Sequence, residues 1–158
     1  MMCVSFIALS CKKDKTPAQE KEVINGNIKE TTETVNGITY KLFTDKDAIS
    51  YKGILVVGSG NDENNPSEGA LNGATETALC KKAAANGYAA AIVRYQKPPA
   101  GADWNARAKL LGEDFNKAIV GISGKYGIDK NKSVVGGFSY TSFMLFTDIS
   151  LNTTLSYT

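Results

Sequence analysis

The sequence predicts an α/β fold, a mostly parallel sheet with helices on both faces, on three observations. Short, nearly continuous apolar runs recur at 54–57, 88–95 and 133–136, the pattern of strands buried on both sides. Between the second and third runs stands a long helical periodicity, Trp104, Ala108, Leu111, Phe115, Ile119, Ile122 and Tyr126, spaced by three or four. Parallel strands need a crossover to carry the chain back, and buried strands alternating with amphipathic helices supply it.

The elements follow in order. The β-rich runs NIKETTETV and ITYKLFT flank Asn36-Gly37, a pair that favours the positive φ angles of a tight hairpin, so an N-terminal β-hairpin is expected. GILVVG then reads as a central strand. After the polar stretch NDENNPSEG, Leu71, Ala74, Ala78 and Leu79 recur at helical spacing, with Cys80 beside them as a small core residue, and Asn86-Gly87 stops the helix. YAAAIVRY is the second buried strand, closed by Lys97-Pro98-Pro99. In the long helix, Asp103 is expected to cap the start, Trp104 to anchor it in the core, and Glu113 and Asp114 to lie on the hydrated face. Gly127 ends that helix, Ser133–Gly136 returns as the third strand, and an apolar run from Ser142 to Phe146 begins another helix.

Composition narrows the function. With 158 residues, 42% hydrophobic and 22% charged, the chain has mass for one modest domain. The net charge is +2, with both signs interleaved, so no field for nucleic acid is implied. Cys3, Cys11 and Cys80 form no CxxC, and the chain has no histidine, so neither a metal nor another cofactor is expected. The missing histidine also removes the usual general base of nucleophilic catalysis. Gly58-x-Gly60 after a strand could open a dinucleotide-binding turn, but Glu63 stands at the third glycine and Asp62 and Glu63 would repel phosphates.

The first ten residues, MMCVSFIALS, are apolar and end in a small residue before Cys11. This resembles the end of a bacterial lipoprotein signal peptide, which implies lipid attachment at Cys11 and a place in the cell envelope, on the periplasmic or cell-surface face. Two features depart from that pattern: Ala8 stands three residues before the cysteine, and no Lys or Arg precedes the run. Ten residues are too few to span a bilayer, for which about twenty are needed. Residues 1–10 are therefore read as a signal-peptide remnant, 11–25 as a charged tether around Pro17, and 26–158 as the folded portion.

The chemistry lies where the third strand runs into Gly137-Phe138-Ser139-Tyr140-Thr141. In Gly-x-Ser-x-Gly, small residues two before and two after the serine permit a sharp, strained turn between strand and helix that projects the hydroxyl. Here Thr141 replaces the second glycine. The run YGIDKNKSVVGGFSYTS resembles the segment leading into the nucleophile of esterase and dienelactone-hydrolase-like α/β hydrolases. GILVVGSGNDEN resembles their strand and oxyanion loop, with Gly58 where many members have histidine. The resemblance covers roughly residues 28–158 and implies the following. Ser139 is the nucleophile, the N–H of Tyr140 is one oxyanion donor, and the N–H of Gly60 or Asn61 is the other. Ser139 should have φ near or above zero and face the Gly58–Asn61 loop. The partner is a small acyl substrate, the membrane is reached only through Cys11, and the oligomeric state stays open.

In the family the acid and histidine follow the nucleophile, and nothing between Ser139 and Thr158 matches them. The chain is accordingly expected to be the N-terminal portion of an α/β-hydrolase domain, inactive as it stands. The alternative is a non-catalytic surface lipoprotein or ligand-binding domain of the same fold.

Overall fold

A hairpin begins the fold, and both of its turn residues are left-handed: Asn36 has φ 54° and Gly37 φ 78°, the conformation that lets two strands twist together without splaying. The computed structural model of the chain describes residues 27–151. The leader, Cys11, the whole of the tether and residues 152–158 lie outside the described residues. The elements are β1 (Ile28–Val35), β2 (Ile38–Asp45), β3 (Gly53–Gly58), α1 (Ala74–Ala85), β4 (Tyr88–Arg94), α2 (Trp104–Tyr126), β5 (Ser133–Gly137) and α3 (Tyr140–Leu151), with a single 3-10 turn at Lys130–Lys132 before β5.

The strands form one sheet in the order β1-β2-β4-β3-β5. β3 is parallel to β4 and β5, β2 is antiparallel to β4, and β1 is antiparallel to β2. Four of the five strands therefore point the same way and β2 alone is reversed, because a two-residue turn can only return the chain antiparallel.

Side-chain alternation builds a core on each face. On one, Ile54, Val56, Ala89, Ala91 and Val93 meet Ala108, Leu111, Phe115, Ala118 and Ile122 of α2, joined by Met144 and Leu145 of α3. On the other, Val57, Ala90, Ile92 and Phe43 meet Cys80 and Ala84 of α1, with Leu71. The run of alanines in β4 leaves room for helices to approach both sides of the same strand.

Three expectations about which side chains face inward are corrected. In α1, Ala74, Ala78 and Leu79 are exposed, and Glu76, Cys80 and Ala84 are buried. The helix begins only at Ala74, and an alanine-rich helix has too little apolar contrast to fix its own phase. Trp104 is 40% exposed. It stands on the first turn of α2, edge-on to Tyr140 with its indole N–H donating to Thr147 Oγ1 at 3.2 Å, so it joins α2 to α3 rather than entering the core. Asp114 is fully buried, while its neighbour Glu113 is half-buried. It accepts from the backbone N–H of Gln96 (2.7 Å), from Gln96 Nε2 (2.8 Å) and from Lys117 Nζ (3.2 Å). A buried carboxylate is tolerated only with donors of this kind. Asp103 does cap α2, accepting from Ala106 N–H at 2.8 Å.

An ion pair ties the hairpin to α2. Lys125 Nζ lies 2.5 Å from Glu33 Oε1, and the hydroxyls of Thr31 and Tyr40 also donate to that carboxylate. Burial pushes the Glu33 carboxyl up, but the hydrogen bonds and charge of Lys125, with the two hydroxyls, outweigh it and hold it below the ordinary 4.5. A carboxyl lowered by folding stabilises the protein above its unfolded value, and that contribution fades as pH falls through the folded value. Melting curves of wild type and Glu33→Gln are therefore expected to differ at pH 6–7, and the gap to narrow as the pH falls below the ordinary 4.5. A gap that widens in acid would contradict this.

The strand order places the cleft. From β3 the chain goes through α1 to β4 on one side, then through α2 back past β3 to β5 on the other. The order reverses at β3 and β5, so the connections leaving their C-terminal ends diverge to opposite faces. In open α/β sheets that divergence is where a binding crevice forms.

Candidate active site

β3 and β5 end level with each other. Gly58 is paired in register with Gly137, and the Phe138 N–H donates to the Gly58 carbonyl at 3.3 Å. The next residue, Ser139, has φ 49°, and α3 starts at Tyr140. A left-handed non-glycine residue is uncommon and costs free energy, so it is retained where the surrounding structure dictates it. Its turn is braced by hydrogen bonds from Thr141 N–H to Phe138 O and from Phe143 N–H to Ser139 O, each 3.2 Å. Ser139 is exposed, and among the described residues no side chain hydrogen-bonds to its hydroxyl.

The loop after β3 stands opposite. A Cβ placed on Gly60 would lie 3.5 Å from Ser139 Cβ, so the loop passes beside the serine with room for about a methyl group between them. Among the described residues neither Gly60 nor Asn61 uses its backbone N–H in a hydrogen bond to the protein. The Asn61 side chain organises the loop: its Oδ1 accepts from the N–H groups of Asp62 (2.9 Å) and Ser67 (3.1 Å), and its Nδ2 donates to Ser67 O (2.8 Å) and Tyr95 Oη (3.1 Å). Arg107 Nη1 holds the loop's outer part through the Glu63 carbonyl at 2.9 Å.

Thr141, where the motif would have glycine, is fully buried. Its Oγ1 donates to the Ser59 carbonyl at 2.5 Å. A Cβ on Gly58 would come within 2.7 Å of Thr141 Cγ2, and one on Gly137 would collide with the same methyl. The threonine therefore fills the space over two glycines, and no side chain at position 58 could share it.

Tyr95, just beyond β4, donates its hydroxyl to the same Ser59 carbonyl at 3.0 Å. Sequence reasoning placed it in a strand without a role; the available signal is that a buried tyrosine needs a partner for its hydroxyl. Tyr140 is buried, its ring 6.2 Å from that of Tyr95 and 6.4 Å from that of Trp104, so the first turn of α3 is seated on aromatic surface. Burial raises the Tyr140 phenol above its usual value, against the opposing pull of Arg107, and it remains neutral.

The structure thus brings together Ser139, Tyr140, Gly60 and Asn61. Cys80 lies elsewhere, its thiol pushed up to about 12 by burial and by Glu76, which suits a packing residue. Among the described residues there is no cluster of acidic, cysteine or histidine side chains able to hold a metal ion, and no helix long and apolar enough to cross a membrane. An open apolar groove of about 190 Å³ runs not over Ser139 but beside β5, lined by Val135, Leu145, Phe146 and Ile149.

No family model matches the chain, and no curated protein sequence does. Solved structures resemble it in fold. A brefeldin A esterase described as a bacterial homologue of human hormone sensitive lipase superposes with a TM-score of 0.55 at 18% identity, covering 93% of this chain and 39% of its own. An esterase from Pyrobaculum calidifontis gives 0.53 at 20% identity, covering 80% of this chain and 40% of its own. The likeness at these identities is one of fold: the chain has an α/β-hydrolase-like architecture and spans about two fifths of the length of these esterases.

Proposed function

We propose that the chain is the nucleophile-bearing portion of a serine hydrolase acting on carboxylic esters or related acyl groups. The observation that carries this reading is the exposed, left-handed Ser139 between β5 and α3, beside a loop in which, among the described residues, the backbone N–H groups of Gly60 and Asn61 are uncommitted. In the proposed reaction Ser139 Oγ bonds to the acyl carbon and the carbonyl oxygen becomes an oxyanion. The N–H of Tyr140 and that of Gly60 or Asn61 stabilise it, each worth about 3 kcal/mol. The alcohol then leaves with a proton, and water releases the acid and restores the serine. The esterase likeness supports the fold that this chemistry uses; the substrate is not fixed by fold.

The test is covalent. A fluorophosphonate is expected to modify one residue, Ser139, slowly, and Ser139→Ala is expected to abolish the modification, as read by intact mass and peptide mapping. Labelling that persists in the alanine variant would reject the nucleophile. The absence of histidine favours a second reading, a non-catalytic binding domain of the same fold; complete inertness of Ser139 toward the probe would support it.

The Cys11 leader is read as a lipid anchor to the cell envelope. Cells expressing the chain extended upstream of residue 1 are expected to incorporate labelled fatty acid, and Cys11→Ala to remove the label. Incorporation that survives the substitution would end that reading.

A further inference from the structure

We infer that Thr141, with Tyr95, is a positioning residue that aims the Gly60 N–H at the oxyanion formed on Ser139. The inference rests on the serine-hydrolase reading above and names a device within it.

The argument is one of peptide geometry. The Ser59 carbonyl accepts two hydroxyl hydrogen bonds from buried side chains, Thr141 Oγ1 at 2.5 Å and Tyr95 Oη at 3.0 Å. In a planar trans peptide the C=O and the following N–H point in opposite directions. A carbonyl held inward by two donors therefore holds the Gly60 N–H outward, and Gly60 is the residue lying beside Ser139. Ser59 is fixed from a third direction, since its Oγ accepts from Ala70 N–H at 2.9 Å. Tyr95 is in turn held by Asn61 Nδ2, and its own carbonyl accepts from Gly69 N–H at 2.8 Å. The peptide that carries the donor is thus tied to β4 through Tyr95 and to α3 through Thr141. Because Thr141 also lies two residues from Ser139, one side chain sets the loop and the nucleophile turn relative to each other. Glycine at 141 could provide no such link.

The experiment follows the covalent adduct. When a fluorophosphonate reacts, the Ser139 Oγ–P bond forms, the P–F bond breaks, fluoride leaves, and the serine proton passes to solvent. The phosphoryl oxygen left on Ser139 then stands where the oxyanion would. In ¹⁵N-labelled protein, the Gly60 amide proton is expected to move downfield on adduct formation. Thr141→Val keeps the shape and removes the hydroxyl. It is expected to lose most of that shift and to slow phosphonylation roughly tenfold, while Thr141→Ser retains both. Tyr95→Phe should weaken both effects in the same direction, and serves if the valine variant does not fold. Equal Gly60 shifts and equal rates in wild type, Thr141→Val and Tyr95→Phe would overturn the inference alone. A probe that never attaches to Ser139 in any of them would overturn the serine reading and this inference with it.

Discussion

Ester hydrolysis by the 158-residue chain is expected to fall about 10⁶ below that of a complete triad enzyme. The sequence contains no imidazole, and among the described residues Ser139 has no side-chain hydrogen-bond partner to take its proton. The hydroxyl therefore keeps a high pKa. In triad enzymes the loss of the base alone costs about 10⁶ in kcat, leaving roughly 10³–10⁴ over water from binding and the oxyanion donors. Initial rates on a short p-nitrophenyl ester measure this directly. A longer chain that supplies a histidine and an acid beside Ser139 is expected to regain most of that factor, and Ser139→Ala to remove it again. Turnover at an ordinary enzymatic rate by the 158-residue chain, unchanged in Ser139→Ala, would sink both the nucleophile and the account of the missing base.

The second large effect is steric and concerns the pair Gly58 and Thr141. Gly58→Ala puts a methyl 2.7 Å from Thr141 Cγ2 and 3.0 Å from the Phe115 ring. Both neighbours are fully buried, so neither can move out into solvent to make room. Overpacking of this kind costs about 1–3 kcal/mol, a melting temperature lower by roughly 3–10 °C. Thr141→Gly alone should also destabilise, because it empties that space, removes the bond to Ser59 and places glycine in a helix. Together the two changes exchange one occupant for another, so the double variant is expected to be more stable than the sum of the singles by at least about 1 kcal/mol. Additivity within about 0.5 kcal/mol would mean that the two positions do not compete for the same volume.

What the sequence made legible was what short-range pattern can encode. β3 and β4 are apolar on both faces, so they read as buried strands; Asn36-Gly37 could hardly be anything but a turn; and the serine turn is spelled by neighbours in sequence. The phase of α1 was not legible, because alanine on every face gives the helix no preferred side. Asp114 was misread because periodicity was judged on apolar residues. It lies three residues after Leu111 and four before Ala118, on the buried side, and what permits it there is Gln96, 18 residues away. The support of the site was also out of reach. Tyr95 and Thr141 meet the Ser59 carbonyl across 36 and 82 residues of chain, and only the sheet order brings them to one atom.

The position of β5 bears on how the protein fails. Among the described residues it has a single neighbour, β3, whereas β4 is held between β2 and β3. Along its outer side β5 has no ladder, and Val134 there is 53% exposed. Detaching this strand gives up one set of hydrogen bonds, where detaching β4 gives up two and both cores. Local opening should therefore begin at the two edges, β1 and β5, with amide exchange at 28–35 and 133–137 ahead of the central strands. The serine turn hangs from β5. Heat or denaturant would then end the reaction of Ser139 with a fluorophosphonate while the centre of the fold still stands.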